Sequence, residues 1–354
     1  MGERLRGLME FLVSDRAHVL AESSIFFANP IGRTAHRMLY LLLSTMNRGF
    51  THRRFSEQTI RLFWGRSMIL CGTCAWSDHA RFYPRRLQPG DRLRFYAKHF
   101  SVVEVDTTYY ALPKQDTVRA WANAVADNFA FDVKAHRSMT LQDRSVPNLK
   151  DKLDVFAAFR ETTAPFRERN QLRALLFQFP PWIAKEARIK DYIEQCREHF
   201  ASDLVAVEFR HGSWFEGHEM GATLKWLREL DAVHVIVDEP QVGVGCVPLI
   251  AEATNRSLAL VRFHGRNGDT WAKPNLSSSG ERFRYLYSQE ELRGFVPVLQ
   301  GLDSQVLEVH ALMNNNFDNY AIRGAMALQR LLGFDATGND DADRDVEQAE
   351  WLLD

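Results

Sequence analysis

The chain has 354 residues, 45% of them hydrophobic, and its 44 basic and 45 acidic side chains leave a formal net charge of −1. That balance excludes a disordered polyelectrolyte, and it excludes capture of nucleic acid or an anionic membrane by a global field, although local basic patches stay open. Four cysteines are too few for a disulfide framework and no apolar run approaches the roughly 20 residues of a membrane helix, so a cytoplasmic protein without a membrane partner is expected.

Residues 1–67 hold ten arginines, no lysine and five acids without clean periodicity, and are read as an Arg-rich extension. Residues 335–354, with eight acids and one arginine, are read as an acidic tail in which QAEWLL suggests a helical turn. Between them, 68–334 alternates short apolar runs with helix-like segments. The runs are MILCG (68–72), VVEVD (102–106), FAFDVK (129–134), ALLFQF (174–179), LVAVEF (204–209), VHVIVD (233–238), LALVRF (258–263) and QVLEVHAL (305–312). DRLRFYAKHF, QDTVRAWANAVA, LKDKLDVFAAFRETTAPF, KEARIKDYIEQCREHF, MGATLKWLREL and NYAIRGAMALQRLLGF supply helical patterns, and SQEEL opens another with the capping-box pair Ser288 and Glu291. The connection after the sixth run is the least helical. This pattern predicts a single parallel, eight-stranded (β/α)8 TIM barrel, with an open doubly wound sheet as the alternative.

In such a barrel the C-terminal strand ends line the mouth where chemistry is placed. The first strand leads to Trp76. The second carries Glu104 and Asp106 on one face and continues into Thr108 and Tyr109. The third ends in Lys134, the fourth in Gln178, the fifth in Glu208, Arg210 and His211 with Trp214 beyond, and the sixth in Asp238. The seventh gives Arg262, His264 and Arg266, the long connection after it carries Tyr287, and the eighth leads to Asn314, Asn315 and Asn316. Polar groups of this kind, buried without partners, would each cost a few kcal/mol, so they must meet one another or a ligand.

The blocks GTCAW with FYP, VEVDTTYY, FDVKAHR, LLFQFPP, VEFRHGSW, VRFHGR, RYLYS and MNNNF, in this order, resemble those of the YecE-like family, domain of unknown function 72. The resemblance covers roughly residues 68–334 and implies a TIM barrel without an established reaction. Cys74 stands where that family's first block more usually has a small polar residue.

The residues themselves predict an enzyme of hydrolase or lyase type acting on a small anionic, phosphorylated or nucleotide-like ligand. Arg210, Arg262 and Arg266 would clamp the anion, Glu208 or His264 would move protons with Asp238 beside them, and Lys134 would stabilise negative charge. Trp76, Glu104, Thr108, Tyr109, Gln178, His211, Trp214, Tyr287, Asn314 and Asn315 would complete the pocket. A nucleic-acid-binding protein using the same mouth, and a ligand sensor without turnover, are the alternatives. A divalent metal on Glu104, Glu208, Asp238 and His264 is less favoured because cations lie on neighbouring strands. Cys71 and Cys74 form a C-x-x-C best read as structural, since no helix start follows the first thiol.

Overall fold

Eight short apolar strands pair in chain order: β1 (Ile69–Cys74), β2 (Val102–Val105), β3 (Ala130–Lys134), β4 (Leu172–Gln178), β5 (Val205–Glu208), β6 (Val233–Asp238), β7 (Leu258–Phe263) and β8 (Glu308–Met313). Neighbours run parallel, and β1 closes onto β8 through five paired positions from Ile69 with Val309 to Thr73 with Met313. Closure sets aside the open doubly wound alternative. The computed structural model describes residues 68–142, 149–271, 273, 276 and 279–334. The extension and the acidic tail lie outside the described residues.

The helices are α1 (Arg92–Tyr96), α2 (Gln115–Ala124), α3 (Leu153–Glu168), α4 (Ala187–His199), α5 (Glu219–Glu229), the single turn α6 (Gly268–Trp271), α7 (Gln289–Asp303) and α8 (Tyr320–Leu331). No helix interrupts 239–257, the segment between β6 and β7. At the start of α7, Ser288 Oγ accepts the Glu291 backbone N–H at 3.2 Å, and the Glu291 carboxylate accepts the Ser288 N–H at 2.8 Å. Among the described residues no helix is long and apolar enough to cross a membrane.

Strand side chains alternate between two environments, as the pleat requires. Outward residues meet the helices: Phe131 stacks on Phe166 of α3 with ring centres 4.1 Å apart, and Phe263 meets Phe295 of α7 edge-on at 4.8 Å. Each such ring, fully buried, stabilises the fold by about 1.5–3 kcal/mol. Their sequence neighbours Asp132 and Arg262 must then point along the barrel axis, which is ionic rather than oily. Near the N-terminal end, Asp132 of β3 and Glu308 of β8 flank His310, whose Nδ1 is 2.6 Å and Nε2 3.0 Å from their carboxylates. Glu308 also meets Arg173 of β4 at 3.3 Å. Burial acts against a charged imidazole, but the two carboxylates prevail and hold His310 up at about 9.

Candidate functional site

The floor of the mouth is built on Arg262. Its side chain has no exposed surface, and all five of its N–H groups face protein acceptors. Nε and Nη2 grip Glu104 at 2.8 and 2.7 Å, Nη1 reaches Glu208 at 2.5 Å and Gln178 Oε1 at 3.3 Å, and Nη2 also meets the Cys74 sulfur at 3.4 Å. One guanidinium thus ties β1, β2, β4 and β5 to β7. The clamp expected of Arg262 acts on the protein's own carboxylates, because no N–H remains for a ligand.

Glu208 is the second hub. Burial alone would raise its carboxyl, but Arg262, His264 and Arg210 hold it well below the ordinary carboxylate range. Beside it, His264 is driven down to about 3, first by burial and with Arg210 and Arg262 adding to it against the pull of Glu208. The imidazole is therefore neutral, and its contacts assign the tautomer. Nε2, 3.1 Å from Glu208, carries the proton, and Nδ1 accepts from the Asn314 amide at 2.7 Å. Both ring nitrogens are engaged and Glu208 stays ionised, so neither expected proton carrier has a position open for proton exchange in this arrangement.

The remaining arginines are neutralised on the β5 to β7 side. Arg210 lies between Glu208 at 3.3 Å and Glu239 at 2.8 Å, over the Trp271 ring at 5.1 Å, with its buried Nε unpartnered. Arg266 grips Asp238 through Nε and Nη2 at 2.9 and 2.8 Å, and Asp238 also accepts the Tyr287 hydroxyl at 2.5 Å. Tyr287 in turn accepts the N–H of Gly265 at 3.0 Å. Gly265 needs its missing side chain: its φ is +84°, and a Cβ there would meet Tyr285 at 2.8 Å. Outside this pair lies an open cleft bordered by Asp238, Glu239, Val242, Leu249 and Arg266.

Lys134 differs from all three arginines. Its ammonium has no hydrogen bond to a described residue and rests over the Tyr109 ring at 4.6 Å. Burial lowers its pKa and Arg262 lowers it further, against Glu104, Glu208 and Asp106. The Asp106 carboxylate likewise has no hydrogen-bond partner among the described residues, and burial followed by Glu104 raises it to about 6 despite Lys134. Period-two spacing puts Asp106 on one face with Glu104, but Asp106 is not among the residues expected to form the pocket. Nor is Glu239, directly after Asp238, whose carboxyl burial lifts to about 7 against the nearby Arg210.

Other expected residues have local duties. Thr108 donates to the backbone carbonyls of Lys134 and Val105 at 2.6 and 3.0 Å, bracing β2 against β3. His211 caps the turn after β5 by accepting the Ser213 N–H, as His136 does after β3 with Ser138. Trp214 is not at the mouth: it is fully buried, stacks on Phe209 at 3.9 Å and donates to Ile183 O. Trp76 packs edge-on against Trp121 of α2 at 5.0 Å. Asn315 donates to Tyr285 O, and Asn316 to Cys74 O. Cys71 and Cys74 are buried free thiols, and burial pushes Cys71 up to about 12, where no thiolate forms near neutral pH. The carboxylates expected of a metal site are held by Arg262 and Arg266, and among the described residues no cluster of three or more His, Cys, Asp or Glu is set to hold an ion.

A family model described as "Protein of unknown function DUF72" matches residues 70–348. The UPF0759 protein YunF of Bacillus subtilis is 34% identical over 273 residues, covering 77% of this chain and 97% of its own. Two solved DUF72 family proteins superpose on the barrel. That of Enterococcus faecalis has a TM-score of 0.68 and 29% identity, covering 76% of this chain and 96% of its own. That of Thermotoga maritima has a TM-score of 0.65 and 30% identity, covering 75% and 99%. The ordered sequence blocks, the closed eight-stranded barrel and these matches agree, and the chain belongs to the DUF72 family.

Proposed function

We propose that this protein is an enzyme that binds a small anion at the C-terminal mouth of its barrel, with Lys134 as the anchor and Asp106 as the group that moves protons. One observation carries the reading: each arginine near the floor is paired with a carboxylate, whereas the Lys134 ammonium has no hydrogen-bond partner among the described residues. A partly desolvated cation with a lowered pKa and its hydrogen bonds unspent is the arrangement that captures a carboxylate or phosphoryl oxygen and stabilises charge developing on it. Asp106, beside it and raised to about 6, exchanges a proton close to neutral pH, as general acid–base work in a hydrolase or lyase requires. The nucleic-acid alternative, which uses the same mouth, loses support there because Arg210, Arg262 and Arg266 are neutralised by internal carboxylates.

The test is calorimetric titration of the full chain with inorganic phosphate, followed by a turnover screen of phosphate esters and hydroxy acids. Replacing Lys134 by Met removes a charge-assisted hydrogen bond, so binding is expected to weaken by about 10- to 100-fold with the fold intact. Unchanged phosphate affinity in Lys134→Met would end this assignment. Binding that collapses between 50 and 200 mM salt over several decades would instead favour a polyanion.

A further inference from the structure

The unengaged polar atoms around the mouth are sorted by type, and the sorting follows the strand order. Gln178 on β4 turns Oε1 toward Arg262, which leaves its amide N–H2 without an acceptor among the described residues. On its two sides stand the Lys134 ammonium at the end of β3 and the buried, unpartnered Nε of Arg210 just past β5. Three adjacent strands therefore present spare donors. The opposite arc presents spare acceptors. Asn314 must donate to the His264 lone pair, which directs its Oδ1 away from the ring, and Asn316 donates to Cys74 O of β1, which leaves its Oδ1 buried without a donor. Asp106, past the end of β2 and beside Lys134, stands between the two arcs and adds a carboxylate without a hydrogen-bond donor among the described residues. In a closed barrel of eight strands in sequential order, β4 and β8, whose end leads into Asn314 and Asn316, lie four places apart, on opposite sides of the axis. The remaining arc, β6 and β7, is closed electrostatically by the Asp238–Arg266 pair.

We infer that the ligand is a polyhydroxylated anion held in one orientation, its anionic end on the Lys134, Gln178 and Arg210 arc and its hydroxyl groups donating to Asn314, Asn316 and Asp106. The amide oxygens decide for hydroxyls over an ammonium, because two of the three acceptors are neutral, whereas recognition of a cation would call for carboxylates. A buried acceptor such as Asn316 Oδ1 is costly to leave unmade, so a ligand lacking the matching donor is rejected rather than tolerated. This inference rests on the anion-binding reading of the same mouth and adds what the other end of the ligand must be.

Calorimetry on the full chain with three phosphates of similar size tests it: glycerol 3-phosphate, propyl phosphate and 2-aminoethyl phosphate. Glycerol 3-phosphate should bind at least about fivefold more tightly than propyl phosphate, the effect of one neutral hydrogen bond. Asn316→Ala and Asn314→Leu should each reduce that preference, while Lys134→Met should weaken both ligands alike. Equal binding of the first two by the wild-type protein would overturn the acceptor arc and leave the anion anchor standing. Preference for the amine would overturn the choice of hydroxyls, and failure of all three to bind would overturn the anion reading itself.

Discussion

Asp106 is held at a cost that a neutral side chain would avoid. Its carboxyl ionises at about 6 in the fold against 3.8 outside it, because burial and Glu104 disfavour the charge. The folded state therefore binds the extra proton between those values, and the native protein is penalised above pH 6 by on the order of 3 kcal/mol. Asp106→Asn should accordingly raise stability to urea at pH 7 to 8 by that amount, with the gain fading as pH falls from about 6 to about 4, below which both states are protonated. Denaturation curves at pH 4 and 7.5 that show no difference in gain would contradict the assignment. A side chain that lowers stability and makes no hydrogen bond among the described residues is the kind retained for chemistry.

At the scale of elements, all eight strands and the polar residues at their ends were legible beforehand, because short β-branched runs with a terminal charge are distinctive. Pairing was not legible. Nothing in VRFHGR says that Arg262 meets Glu104 and Glu208 rather than a ligand, since their contact is made only when the barrel closes. Trp214 was misplaced for a related reason: it follows the β5 end, but the turn after Arg210, capped by His211, carries it back under α5, where it stacks with Trp226. Period-two spacing does put Glu308 with His310, and Asp132 with Lys134, on common faces, so the axial charges left a trace in sequence that could have been read. Local chemistry is more transparent: the Ser288 and Glu291 capping box is present at α7 as its spacing implies. Ser288→Ala should therefore destabilise the protein by about 0.5–2 kcal/mol, seen as a lower thermal midpoint, whereas a change within ±0.2 kcal/mol would show α7 to be fixed by packing alone.

For the whole molecule, the axis matters more than any one strand. His310 is charged in the fold up to about pH 9, against 6.5 for the free side chain, through Asp132 and Glu308. Its pairing thus contributes fully below pH 6.5 and is lost as pH rises through about 9, a change on the order of 3 kcal/mol. Urea midpoints of the wild-type protein should fall between pH 7 and 9.5, and His310→Gln should be less stable at pH 7 and lack that part of the decline. A wild-type curve parallel to the variant's would place the imidazole outside the network. The ties across the axis have one more consequence. Glu104 and Arg262 stand 158 positions apart in the chain yet share two hydrogen bonds, so loss of Arg262 leaves the buried Glu104 without its cation, and loss of Glu104 leaves two guanidinium N–H groups without their carboxylate. Evolutionary drift at these sites is consequently restricted to concerted exchanges, and related sequences should alter both partners together or neither.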